Sequence, residues 1–162
     1  MPAETIPAAA PAPVRELLAF MLGREAYGID IRAVREIRAY GGVTAIAGAP
    51  AHLKGVINLR GEIVPVVDLR LKFGAGEAGF TPFTLLVVVE AGRRTAGLVV
   101  DVVSDVLAVP AGAIRPAPEV AAAFDRGSVV GLATLEAHML VVLDVARLLA
   151  SPEMGLVEAA AA

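Results

Sequence analysis

The stretch Gly55-Val-Ile-Asn-Leu-Arg-Gly-Glu-Ile-Val-Pro-Val-Val-Asp68 returns in pattern 76 positions later (131 − 55) as Gly131-Leu-Ala-Thr-Leu-Glu-Ala-His-Met-Leu-Val-Val-Leu-Asp144. Gly55/Gly131, Leu59/Leu135, Val66/Val142 and Asp68/Asp144 are identical, and Ile63/Met139 and Val67/Leu143 keep apolar character. Each copy reads as glycine, strand, turn, strand, an aspartate cap and a short helix. Upstream, Gly28-Ile-Asp-Ile-Arg-Ala-Val-Arg-Glu-Ile37 matches Gly97-Leu-Val-Val-Asp-Val-Val-Ser-Asp-Val106 at a shift of 69 (97 − 28), pairing Val34 with Val103 and Glu36 with Asp105. One such match among valine-rich strands is what chance supplies. Two in the same order point to a duplication. The physical consequence is two small, similar barrels of about five strands each, because closure removes exposed sheet edges. Neither is large enough to bury much alone, so they should pack over a shared apolar seam.

The rest of the chain supports a mainly β reading. Its 162 residues are 57% hydrophobic but only 4% aromatic, without tryptophan, so the core must be aliphatic and leans toward strands. Gly23-Arg24, Arg60-Gly61 and Ala91-Gly92 mark hairpin turns between apolar runs. Pro65 lacks an N–H, so that side of its strand should face an edge or a bulge. Asp68 caps a helical turn at Leu69–Phe73; Val145–Ala150 should be helical, and Ser151-Pro152 should open a further C-terminal helix reaching about Glu158. The Ala- and Pro-rich residues 1–14 should be a disordered tail and residues 156–162 a frayed end. Between them, residues 15–155 form one domain, with subdomain 1 at about 25–75, subdomain 2 at about 83–145, and termini that cross between them.

Composition also excludes function classes. Net charge is −3 with scattered basic residues, which argues against nucleic acid as a partner. Without cysteine there is no disulfide or thiol chemistry, as suits a reducing cytoplasm. No signal peptide is apparent, and apolar runs such as Leu85–Val89 fall far short of the roughly 20 residues needed to span a bilayer. A soluble protein without direct membrane insertion is expected. His52 and His138 lie far apart and outside any ligand pattern, and no catalytic motif occurs. Gly74-Ala-Gly-Glu-Ala-Gly79 fits GxGxxG, but a short helix precedes it, Phe80-Thr81-Pro82 follows, and position 94 is Arg rather than an acid. No catalytic residue, metal site or cofactor is expected, and the chain is read as no enzyme. What remains is adhesive: aliphatic strands suited to gripping other polypeptides.

Several stretches resemble the CheW family of bacterial chemotaxis coupling proteins. They include Tyr27-Gly-Ile-Asp-Ile31, Val34-Arg-Glu-Ile-Arg38, Lys54-Gly-Val-Ile-Asn-Leu-Arg-Gly61, Ile63-Val-Pro-Val-Val-Asp-Leu-Arg70, Gly97-Leu-Val-Val-Asp101 and Ile114-Arg-Pro-Ala-Pro-Glu119. The likeness covers about residues 16–155. It implies two SH3-like five-stranded β-barrel subdomains packed together, with short helices and a C-terminal helix. It also implies a scaffold, located in the cytoplasm and recruited to membrane-bound receptor arrays. The partners implied are the cytoplasmic tips of methyl-accepting chemoreceptors, the CheW-like regulatory domain of the histidine kinase CheA, and other copies of the adaptor in array rings. A chain of this length leaves no room for a receiver or kinase domain, so a stand-alone adaptor is expected.

The resemblance also implies residue roles. For the receptor, Val34, Glu36, Gly55, Arg60 and Val103 match positions along the groove between subdomains. Val34 and Val103 read equally well as core valines by residue type. Arg60 should pair with Glu36. For the kinase, Tyr40, Val43 and Thr44 match in the first subdomain, and Arg115 and Val120 in the second. Val120 stands where relatives often carry a larger aromatic group, and Arg115 reads alternatively as a solvated linker residue. A competing function is a small-ligand-binding or enzymatic β-barrel protein using the inter-subdomain groove as a pocket. The adaptor should have an open apolar groove without buried titratable clusters; the ligand binder should have a closed pocket with converging polar groups.

Overall fold

A computed structural model describes residues 14–73, 79–116, 127–135 and 138–150. The expected helix after Ser151, the frayed C-terminus, most of the GxGxxG loop, residues 1–13 of the tail, and Val120 lie outside the described residues. The apolar runs become eleven strands among the described residues: β1 (Val14–Leu22), β2 (Glu25–Asp30), β3 (Val34–Ala39), β4 (Leu53–Leu59), β5 (Glu62–Asp68), β6 (Leu85–Ala91), β7 (Arg94–Val100), β8 (Val102–Pro110), β9 (Ile114–Arg115), β10 (Val129–Leu135) and β11 (His138–Leu143). Helices α1 (Leu69–Lys72) and α2 (Val145–Ala150) follow the two aspartates of the repeat.

The strands form two sheets, ordered β3-β6-β7-β5-β4 and β8-β1-β2-β11-β10-β9. Each sheet therefore takes a hairpin from the other half of the chain: β6–β7 join the first and β1–β2 the second. The splices are two short parallel pairings, Val66 with Gly97 and Val142 with Gly28, which are equivalent pairs of the repeat. The sheets thus divide the chain differently from the expected subdomain bounds of 25–75 and 83–145. Residues 85–100 belong with 34–68, and residues 14–30 belong with 102–143. Val14 is already in β1 rather than in a disordered tail.

Four bulges repeat the same logic. The extra residue is Arg35 in β3 and Ser104 in β8, which are equivalent at the shift of 69. It is Lys54 in β4 and Val130 in β10, equivalent at the shift of 76. The amide of Asp68 donates to the His52 carbonyl at 2.7 Å, and that of Asp144 to the Ser128 carbonyl at 2.8 Å, again one bond in two copies. Pro65 sits in a central strand, not at an edge. The parallel ladder to β7 begins one residue later, at Val66, so the missing N–H interrupts no β5–β7 pairing.

Three apolar clusters fill this frame. Ile57, Leu59, Val64, Val66, Leu86, Val88 and Val99 fill the first barrel. Leu17, Ala19, Val109, Ala133, Leu140 and Val142 fill the second. The largest cluster joins residues of both sheets, among them Phe20, Tyr27, Val67, Val87, Leu98 and Leu149. This is the shared seam. Strand β6 explains why its sequence is apolar without a break: Leu86 and Val88 point into the first barrel while Val87 and Val89 point into the seam. Each such side chain contributes about 1.5–3 kcal/mol on burial. Among the described residues the aromatics of the seam form one stack, with Tyr27 between Phe20 at 6.0 Å and Phe73 at 5.5 Å. Burial, followed by the bond from its hydroxyl to Glu25, pushes the Tyr27 phenol well above its ordinary value.

Candidate functional site

The bulges decide which residues of β3 and β8 lie opposite seam residues. In a regular strand Val34 and Ile37 would face opposite sides. Because Arg35 is extra, Val34 stands opposite Val89 and Ile37 opposite Val87, and both of those partners belong to the seam. In β8, Val103 stands opposite Phe20 and Val106 opposite Leu18, also seam residues, because Ser104 is extra. Val34 and Val103 are half-buried and pack on the shared cluster, whereas Ile37 and Val106 are exposed. The two repeat mates are therefore half-buried valines packed at the margin of the seam. Ile37 and Val106 continue the same stripe into solvent. Sequence reasoning had matched them only as apolar repeat mates; the signal that they are exposed is the bulge, which a single sequence does not display.

The expected ion pair forms. Arg60 Nη2 donates to Glu36 Oε1 at 2.7 Å, and Arg38 lies 3.8 Å from the other oxygen. The Arg60 bond, partly opposed by desolvation, holds the Glu36 carboxyl below the usual glutamate range. Arg60 itself occupies the left-handed region at φ 52°, in a two-residue turn closed by the Gly61 amide donating to Asn58 Oδ1 at 2.8 Å. A side chain there is uncommon and costs about 1–2 kcal/mol relative to ordinary backbone. A second exposed pair, Arg35 to Glu62 at 3.0 Å, borders the same hairpin. Exposed pairs of this kind orient side chains more than they stabilise.

Gly55 presents no side chain to a partner. It is buried at φ 145°, and a Cβ there would stand 2.0 Å from the Thr44 carbonyl oxygen. Its role is to let residues 44 and 56 meet: the Thr44 amide donates to the Val56 carbonyl at 2.8 Å and the Val56 amide to the Thr44 carbonyl at 2.9 Å. Gly131 does the same for Arg115, whose carbonyl oxygen would be 2.2 Å from an added Cβ, and β9 pairs Arg115 with Leu132. Thr44 and Arg115 are thus structural equivalents on the two barrels, a relation the sequence matches did not reveal. Tyr40 and Val43 are half-buried against the first barrel's interior, while Thr44 and Arg115 are exposed.

One expectation fails. Asp68 and Arg70 are buried charged residues, with 0% and 4% side-chain exposure. Arg70 donates from Nε and Nη2 to the two carboxylate oxygens of Asp68, each at 3.0 Å, and from Nη1 to Asp101 Oδ1 and the Gly79 carbonyl, each at 2.8 Å. Asp101 in turn accepts from the Gly23 amide at 2.7 Å. Burial lowers the Arg70 affinity for its proton, but the bonds to Asp68 and Asp101 outweigh it and hold the pKa raised. Four of five guanidinium N–H groups are committed, so the cluster ties α1, the β7–β8 bend and the β1–β2 turn together. Asp68 was legible in sequence as a cap; Arg70 stood only as the last residue of the family-like run Ile63–Arg70.

Elsewhere, an open cleft of about 410 Å³ lies beside Arg15, Asp30, Arg32, Glu90 and Asp144. Its most evident charge pair is internal, Arg32 bonding bidentately to Asp30 at 2.8 and 3.1 Å. Among the described residues no three His, Cys, Asp or Glu stand close enough to hold a metal ion, and no helix is long and apolar enough to cross a membrane.

The CheW-like domain family model matches residues 16–153. The chain belongs to the CheW-like family. It is 49% identical over 144 residues to the chemotaxis protein CheW of Klebsiella aerogenes, covering 89% of this chain and 87% of that protein. It is 37% identical over 139 residues to the chemotaxis protein CheW of Rhizobium meliloti, covering 86% and 90% respectively. The crystal structure of the scaffolding protein TtCheW from Thermoanaerobacter tengcongensis superposes with a TM-score of 0.76 at 34% identity, covering 81% of this chain and 89% of that one. The two-barrel, mainly β architecture is that of a CheW chemotaxis scaffold, and the CheW-like family assignment holds across the spliced halves.

Proposed function

We propose that this chain is a non-catalytic adaptor that couples methyl-accepting chemoreceptors to the histidine kinase CheA in membrane-attached arrays. The observation that carries this reading is the doubled apolar stripe, Val34 with Ile37 and Val103 with Val106, flanking the seam between barrels. Such a groove suits the apolar face of a helical hairpin, which is the form of a receptor's cytoplasmic tip. Glu36 holds Arg60 at the rim, where a cation can meet polar groups of the same hairpin. Gly55 acts through position, by keeping residues 43–45 against β4.

The kinase-facing surface in this reading comprises Tyr40, Val43 and Thr44 on the first barrel. Its counterpart on the second barrel is Arg115, with Val120 assigned by resemblance. Two equivalent faces on one chain favour ring assembly, in which each barrel meets a CheW-like domain of the kinase or of another adaptor. The test is a pulldown with CheA and receptor fragments from the same cell. The wild-type chain captures both, Arg60→Ala loses the receptor, and Val43→Ser loses the kinase. Equal capture by wild type and both variants contradicts the assignment of faces.

A further inference from the structure

We propose that Phe80 is a contact residue of the kinase-facing surface and that Arg70 is its positioning residue. The inference rests on the adaptor reading above and extends its first-barrel face. The chain has only two tyrosines and five phenylalanines. Phe20, Tyr27 and Phe73 stack along the seam. Tyr40 and Phe80 pair instead on the first barrel, where Tyr40 packs against its interior cluster. There Phe80 stacks on Tyr40 at 4.3 Å between centroids, and the Tyr40 amide donates to the Thr84 carbonyl at 3.1 Å. Phe80 is nonetheless 47% exposed and Phe83 76% exposed. Exposed aromatics beside a docking face are the residue type that carries binding energy at protein interfaces.

An exposed ring is ordinarily free to move, and ordering it on binding costs free energy. Phe80 is already held on several sides. The Arg70 guanidinium lies 5.1 Å from its centroid, and the same guanidinium donates to the carbonyl of Gly79, the residue before it. Arg70 cannot swing away, because Asp68 and Asp101 fix its fork. The buried cluster therefore sets both the backbone and the ring face of an exposed aromatic, whose partner Tyr40 packs with Val43 on the same first-barrel cluster. Lys54 Nζ stands 5.9 Å from the same ring and forms no ion pair among the described residues. The partner surface that fits is an apolar side chain packed on the Phe80 edge with a carboxylate within reach of Lys54.

The experiment is calorimetric titration of the full chain with the regulatory domain of CheA, with binding to a receptor hairpin fragment as the control. Phe80→Ala weakens the kinase domain by at least about tenfold, Phe80→Tyr stays within about twofold, and receptor affinity is unchanged in both. Arg70→Lys keeps the charge but loses the fork. It weakens the kinase domain in the same direction, and the double variant Arg70→Lys/Phe80→Ala binds no worse than Phe80→Ala alone. Additive losses, or a parallel loss of receptor affinity in Arg70→Lys, overturn the positioning role. Wild-type affinity in Phe80→Ala, with Tyr40→Ala still impaired, overturns the contact role and leaves the adaptor reading standing. A wild-type chain that binds no kinase domain sinks that reading and this inference with it.

Discussion

Alanine at Gly55 tests the duplicated closure of the two barrels. A Cβ would stand 2.0 Å from the Thr44 carbonyl oxygen, where real Cβ contacts essentially never fall below 3.0 Å. The strands must therefore part by about 1 Å, which stretches the two bonds of 2.8 and 2.9 Å between Thr44 and Val56 beyond hydrogen-bonding range. Two lost backbone bonds and the strain of an L residue at φ 145° together cost about 2–6 kcal/mol. That is a large share of the roughly 5–15 kcal/mol that holds a domain folded. In urea, the midpoint of Gly55→Ala falls by about 1–3 M with little change in slope. Gly131→Ala, with its Cβ 2.2 Å from the Arg115 oxygen, suffers a comparable loss. The two separate in binding. Gly55→Ala disturbs residues 43–45, and Gly131→Ala disturbs the Arg115 face. A midpoint within about 0.3 M of wild type for Gly55→Ala refutes the close-approach reasoning.

Further outcomes follow from the same geometry. In a carbon-detected titration the Glu36 carboxyl ionises below the ordinary glutamate value of about 4.3, and shifts upward in Arg60→Ala, where Arg38 and Arg35 remain. Its depressed pKa means the pair is fully present above the unfolded value and is lost as pH falls through the folded one; a midpoint unmoved by Arg60→Ala contradicts the pairing. The charge swap Glu36→Arg with Arg60→Glu recovers part of the receptor affinity that either single change removes, and no recovery counts against it. Asp68→Asn keeps a helix cap but takes charge from beneath Arg70, which retains Asp101; urea unfolding shows a loss of about 1.5–3 kcal/mol. Ile37→Asp and Val106→Asp each reduce receptor-fragment binding while leaving the thermal midpoint within a few degrees of wild type, since both side chains are exposed.

Much of this architecture is legible in the sequence, and the parts that are not share a cause. Local signals survive: the Gly23, Arg60-Gly61 and Gly92 turns, the Asp68 cap and the repeat itself all appear where the residues place them. Pairing between distant strands leaves no local trace. Leu85–Val89 is apolar on both faces, so nothing in it says that β6–β7 close the barrel begun by β3–β5. The subdomain bounds drawn along the chain let the termini cross, but kept β6–β7 apart from β3–β5 for the same reason. Val34 and Val103 were singled out in the sequence, but the exposed half of their apolar stripe was not. Ile37 and Val106 join the stripe only because Arg35 and Ser104 are extra residues in their ladders. The Arg70 cluster was hidden because Asp101, itself held by the Gly23 amide, meets it from a distant point on the chain.

Co-sedimentation with receptor-bearing nanodiscs tests the bridging claim most directly. With the adaptor present, the isolated CheA regulatory domain pellets with the discs; without it, or with Arg60→Ala in its place, that domain stays in the supernatant. A regulatory domain that pellets to the same extent with and without this chain, or never pellets at all, contradicts the account.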